Sequence, residues 1–280
     1  MLRTRVITAV VVLVLLVGML FLAPRGLWAA FVLTIALVAC WEWSRMSALT
    51  PRGQSAYLVA SGAVGAFLWL VYMGAVSADF AAAAMTGFIV AAMLWIFVAP
   101  VWLARKLRPS SSVCAATGWV VIWPTWLAFV MLRDVSAWLL LAIAAIVWIA
   151  DIAAYFAGRR FGRHKLAPDI SPKKTWEGVM GALAGVALYG IVLAWMANTG
   201  ETPLSPIFAS GLGIPAIVFM LVLAAVSVVG DLFESWMKRG AGLKDSSNLL
   251  PGHGGVLDRI DALTSTLPLA ALALSIRAAL

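Results

Sequence analysis

The feature that most constrains this chain is a succession of predominantly apolar runs, each near twenty residues long. They cover 6–23, 26–45, 55–76, 80–104, 113–132, 136–157, 177–197, 211–235 and 259–279. A hydrocarbon core of about 30 Å takes roughly 20 apolar residues of helix to cross. Inside it every backbone amide must be satisfied within its own segment, so helix is the default. The runs are continuous rather than alternating, which excludes a membrane β-barrel. Composition agrees: 64% of the residues are hydrophobic, 11% are charged and mean hydropathy is +1.01. A water-soluble fold of 280 residues cannot hide that much apolar surface. The expected fold is an all-α polytopic integral membrane protein of about nine transmembrane helices. Fourteen Trp and 12 Phe suit lipid contact and interfacial belts, a place also expected for Trp41-Glu42-Trp43. The basic start, Met1 to Arg5, precedes an apolar run too long for a signal-peptide core, and another span follows it. It reads as an uncleaved first helix.

The charges order the spans. Seventeen of the 20 Lys and Arg fall on the side that holds the N-terminus, and only Arg25, Arg133 and Arg277 on the other. The positive-inside rule then puts the N-terminus and this side in the cytoplasm and, for nine spans, the C-terminus outside. Because the basic residues sit between apolar spans, nucleic acid is not an expected partner despite a net charge of +8. Cys40 and Cys114 are read as inert core thiols, with no disulfide framework. Of 12 acids, Asp79, Asp134 and Glu201 fall on the outer side and the other nine gather at cytoplasmic helix ends or loops. A carboxylate within an apolar segment is costly and marks function by default.

Two polar loops, 158–176 and 236–258, both fall in 136–280, the region expected to carry the functional site, whereas 1–135 holds the N-terminal helices (about five). Around the first loop, Asp151, Tyr155 and Arg159 recur every four residues and share a helix face. In Ser171-Pro-Lys173-Lys174-Thr-Trp-Glu177-Gly, Pro172 suits a loop–helix junction, and the residues after it are expected to open a helix. Free N–H groups there favour an anion, and Lys173 and Lys174 add point charges suited to phosphate. A basic loop against anionic headgroups explains this segment about equally well. The second loop is denser. Asp231, Glu234 and Ser235, and likewise Asp258 and Asp261, form sets facing one way at helix ends. Carboxylates from two helices suit Mg²⁺, which completes its octahedron with waters and substrate phosphates. Gly252, Gly254 and Gly255 let backbone approach a phosphate. Gly181 and Gly185 form a small-xxx-small face for helix packing. Gly211-Leu-Gly213 is a poor dinucleotide fingerprint, since no strand–helix unit surrounds it.

The run Ser235-x-Met-Lys238-Arg239-x4-Lys244-Asp245-x-Ser247-x2-Leu-Pro251-x-His253-Gly-Gly255-Val-x-Asp258-Arg259-Ile-Asp261 resembles the signature of phosphatidate cytidylyltransferases (CDP-diacylglycerol synthases). Ser247 stands where many members have Gly. The segments Asp151-x2-Ala-Tyr155 and Ser171 to Gly178, the Arg5-Val-Ile-Thr-Ala start and Trp41-Glu-Trp are similar to the family as well. The resemblance implies the reaction of CTP with phosphatidate to give CDP-diacylglycerol and diphosphate, in phospholipid biosynthesis. It implies Mg²⁺, with a monovalent cation such as K⁺ as an optional second ion. It further implies a homodimer in a bacterial-type inner membrane, and a polar cavity open to the cytoplasm and to lipid. On this reading Asp231, Asp258 and Asp261 hold the metal. Lys173, Lys174, Lys238 and Arg239 meet phosphates, assisted by Ser171 and Lys244. Glu177, Ser235 and Arg259 are further candidates for substrate contact, Asp245 orients a lysine or a second cation, and His253 is a hydrogen-bond donor or acid–base group. An ion-coupled transporter would need ionisable groups at several bilayer midplanes and an inverted repeat, and the sequence offers neither. A CTP-dependent lipid kinase would lack the long signature, and a silent scaffold would lack the ligand set.

Overall fold

The computed structural model describes residues 2–199 and 213–279. Nine helices run through them: α1 (Leu2–Leu22), α2 (Arg25–Met46), α3 (Pro51–Tyr72), α4 (Phe80–Ala104), α5 (Ser111–Val135), α6 (Ala137–Phe161), α7 (Trp176–Thr199), α8 (Ile214–Gly240) and α9 (Leu257–Ala279). Eight, α2 to α9, are long and apolar enough to cross a membrane, and α1 adds the apolar stretch Val6–Leu22. The expected all-α polytopic fold stands. Glu201, Gly211 and the loop expected at 198–210 fall at or beyond the edge of the described residues.

Helix starts follow local chemistry. Thr50 accepts from the Gly53 amide and Pro51 opens α3; Asp79 caps α4 through the Ala82 amide. Helix α4 carries a π-helical turn at Leu94–Val98 just before Pro100, whose missing N–H and bulky ring oppose regular α geometry there. That turn aims Trp95 inward. Phe233 of α8, fully buried, sits among Trp43, Trp95 and Trp102 at centroid distances of 6.4, 5.6 and 5.3 Å. This aromatic knot fastens α8 to α2 and α4 directly beneath the polar end. It also corrects the expectation for Trp41-Glu42-Trp43. Trp43 is 1% exposed and donates to the Cys114 carbonyl at 2.8 Å, whereas Trp41 keeps an open face under Arg45. Residues two apart on a helix point to nearly opposite sides, so only one of the pair can be an interfacial anchor.

Helices α6 and α7 form the closest pair. A Cβ on Gly181 or Gly185 would run into Ala157 or Ala153, which is the packing that the small-residue spacing predicts. The opposite end of the bundle is closed by Arg25, 3.2 Å from Asp134, with Tyr72 donating to the same carboxylate at 2.9 Å and Arg133 bound to the Leu20 and Ala23 carbonyls.

Candidate active site

The chain between α6 and α7 is a small hairpin: β1 (Lys165–Ala167) pairs antiparallel with β2 (Ser171–Thr175). This corrects the expectation that a helix opens after Pro172. Ser171 to Thr175 is strand, and α7 begins at Trp176. Proline is tolerated on a two-stranded edge, and it biases the residue before it towards extended backbone. The helix start falls to Thr175, whose hydroxyl accepts the Gly178 amide at 3.1 Å. Glu177 takes the His164 amide at 3.2 Å and its ring Nδ1 at 2.6 Å, closing the hairpin base, and the tip is tied by the Lys106–Asp169 ion pair.

Under the hairpin lies a cavity of about 560 Å³ between α6, α7 and α8. Asp151, Tyr155, Arg159, Lys173, Lys174 and Asp231 give it a charged wall, while Ala150, Ala154, Val179 and Ala182 leave the rest apolar. The shared face expected for Asp151, Tyr155 and Arg159 is real: Arg159 donates to the Tyr155 hydroxyl at 3.0 Å and all three line the cavity. Lys174 pairs with Asp231 at 2.5 Å, and Ser235 donates to Asp231 at 3.4 Å. Asp231 faces both Asp151 and Asp261 closely enough for their charges to interact. Ser171 and Lys173 are on the cavity rim as expected.

The loop between α8 and α9 folds around a second polar network. Asp258 accepts from Lys238 at 2.5 Å, from the Ser246 amide and hydroxyl at 2.9 Å each, and from the Gly255 amide at 2.8 Å. Lys238, 9% exposed, is held between Asp258 and Glu234. Two carboxylates thus neutralise the lysine expected to meet phosphate. Arg239 turns to the Leu243 carbonyl at 3.2 Å. Lys244, Asp245, His253 and Arg259 line a separate cavity of about 530 Å³ beside this network, and His253 Nδ1 is buried with no protein partner among the described residues.

The carboxylates expected to hold a metal therefore differ. Asp258 is satisfied by four donors, whereas among the described residues the one hydrogen bond on the Asp261 carboxylate comes from the amide of Ala262, at 2.8 Å. Among the described residues no three His, Cys, Asp or Glu side chains are grouped to hold a metal unaided. A pair such as Asp231 and Asp261, one from each of two packed helices, fits Mg²⁺, which binds through one or two carboxylates with substrate phosphates and water completing the shell. Glu42 of α2 and Ser246 were not expected at the site. The available signal was the isolation of Glu42 in an apolar run.

The fold and site together define a polytopic membrane protein that gathers acids, lysines and arginines around two cavities at one end of its helices. The comparisons make this specific. The pattern of the Cytidylyltransferase family matches residues 3–277, and the chain belongs to that family. It is 37% identical to a phosphatidate cytidylyltransferase of Pseudomonas aeruginosa, over 96% of this chain and 95% of that one. It is 35% identical to the protein of that name from Brucella suis, over 94% of this chain and 90% of that one. A third, from Haemophilus influenzae, is 47% identical over 46% of this chain and 43% of its own length.

Proposed function

We propose that this protein transfers CMP from CTP to phosphatidate, releasing diphosphate and forming CDP-diacylglycerol. The observation that carries the reading, beside the family membership, is the 560 Å³ cavity that is charged on one wall and apolar on the other. A lipid phosphate needs both surfaces, one for its headgroup and one for the start of its chains.

In this reading an oxygen of the lipid phosphate attacks the α-phosphorus of CTP in line, and diphosphate departs. That oxygen is already ionised at neutral pH, so the reaction needs positioning and charge neutralisation more than a base. Lys173, Arg159 and Ser171 orient the lipid phosphate. Lys174, held by Asp231, brings positive charge to the point where two anions meet. Lys244, Arg259 and His253 suit the polyphosphate of the nucleotide. Asp231 and Asp261 would hold Mg²⁺, with Asp258 organising the loop beside them; the ion, when bound, supplies charge neutralisation for nucleotide phosphates.

The reading includes an orientation, with this end in the cytoplasm where CTP is found. It is supported by the 17 of 20 basic residues placed on this side. It also includes a homodimer, checked by the mass of the purified protein in detergent. Purified protein given labelled CTP, phosphatidate and Mg²⁺ should yield labelled CDP-diacylglycerol, and no labelled lipid when either phosphatidate or Mg²⁺ is withheld. Folded protein that binds CTP yet labels no lipid would point to another acceptor. A cysteine at Asn248, in a background without Cys40 and Cys114, should react only with reagents that reach the cytoplasmic face.

A further inference from the structure

Glu42 lines neither cavity, yet its carboxylate is completely enclosed, with 0% exposure. One oxygen accepts from the Ser247 hydroxyl at 2.6 Å and the Val256 amide at 2.9 Å. The other accepts from the Leu257 amide at 2.7 Å and the Ser246 hydroxyl at 3.1 Å. Among the described residues no Lys or Arg is paired with it; hydroxyls and the amides at the start of α9 balance the charge. The four donors come from both arms of the loop between α8 and α9, so a single side chain from α2 pins the loop at its entry and its exit. Gly255 has to be glycine for this, because a Cβ there would overlap Glu42 and Ser246. Arg45, one turn on in α2, adds a bond to the Ser246 carbonyl at 3.3 Å. The single proton of the Ser246 hydroxyl lies between Glu42 and Asp258, so the two carboxylates share one bridge. The network continues through Asp258 to Lys238 and on to Glu234.

We propose that Glu42 is a positioning residue of the reaction: reaching from α2, it sets the conformation of the loop at 243–257 and, through Ser246, the placement of Asp258 and Lys238. The inference rests on the transferase reading above. Glu42 touches no substrate itself, but the loop it sets carries Lys244 and His253 of the nucleotide cavity, so its effect belongs in kcat and in KM for CTP and not in KM for phosphatidate, which is bound in the other cavity.

Glu42→Gln has nearly the same shape, but either orientation of its amide sets an NH₂ against a backbone N–H and a hydroxyl that were donating. It should therefore extract from the membrane as folded protein with kcat down about 100-fold, the scale of a small misplacement, and KM for CTP raised, while KM for phosphatidate stays within about threefold. Amide exchange in 243–257 should quicken while that in α6 and α7 does not. Ser246→Ala should lower kcat by about 10-fold, and the double variant should be no worse than Glu42→Gln alone, because both losses travel through one bridge. Parent activity with kcat of Glu42→Gln within about threefold of it, unchanged exchange in the loop, or additive losses would each overturn the proposal. Should Glu42→Gln fail to fold, Ser246→Ala decides: a lower kcat at constant KM for phosphatidate supports the inference and an unchanged kcat overturns it. Parent protein that labels no lipid at all overturns the transferase reading instead.

Discussion

Asp258 and Asp261 stand three residues apart at the start of α9, and their surroundings divide their tasks. Asp258 spends both oxygens on the loop and on Lys238, so an amide in its place strands at least one buried donor. Each such donor costs about 1–3 kcal/mol. Asp258→Asn should therefore lose both stability and turnover, measured as a lower Tm in detergent alongside absent lipid labelling. Among the described residues the Asp261 carboxylate holds a single bond, from the Ala262 amide, which an asparagine oxygen can still accept. Asp261→Asn should keep the parent Tm while kcat falls about 100-fold, the scale found on perturbing a metal site. Equal Tm losses in the two variants would contradict the division. The sequence showed both aspartates on one side of a helix, but which one faces donors depends on Ser246 and Gly255 arriving from the loop.

At the scale of elements, the cavity exists because α6 and α7 approach closely enough to carry the hairpin over it. Gly178 and Gly181 allow that approach: a Cβ on Gly178 would lie 3.1 Å from the Ala154 carbonyl oxygen, and one on Gly181 would overlap Ala157. Gly181→Leu should separate the pair at a cost of about 1–3 kcal/mol from overpacking, read as a reduced Tm together with a raised KM for phosphatidate. An unchanged KM would mean that the cavity does not depend on this contact. The glycine spacing was legible from sequence. The hairpin was not, because a five-residue strand containing Pro172 is too short and too polar to show a period, and what holds it, its pairing with Lys165–Ala167 and the Lys106–Asp169 tie, is tertiary.

At the scale of the molecule, the two ends of the bundle do different work. The end away from the site is closed by Arg25, Tyr72, Asp134 and Arg133, which join α2, α3 and α5 and hold α1 in place. Asp134→Asn should lower Tm while leaving kcat and KM per folded protein unaltered; a matching fall in kcat would show the ends to be coupled.

Helix count, the apolar class and the placing of acids and bases on one side were determined by the sequence alone. The bilayer demands about 20 apolar residues per crossing and penalises charge within it, so these properties are written linearly along the chain. The carboxylate pairs and the role of Glu42 were decided only by tertiary structure. Glu42 is 204 residues from Ser246 and 215 from Leu257, and no local spacing records a hydrogen bond across that interval. Burial removes water as an alternative partner, so once the helices pack, each enclosed carboxylate must take whatever donors the fold brings to it.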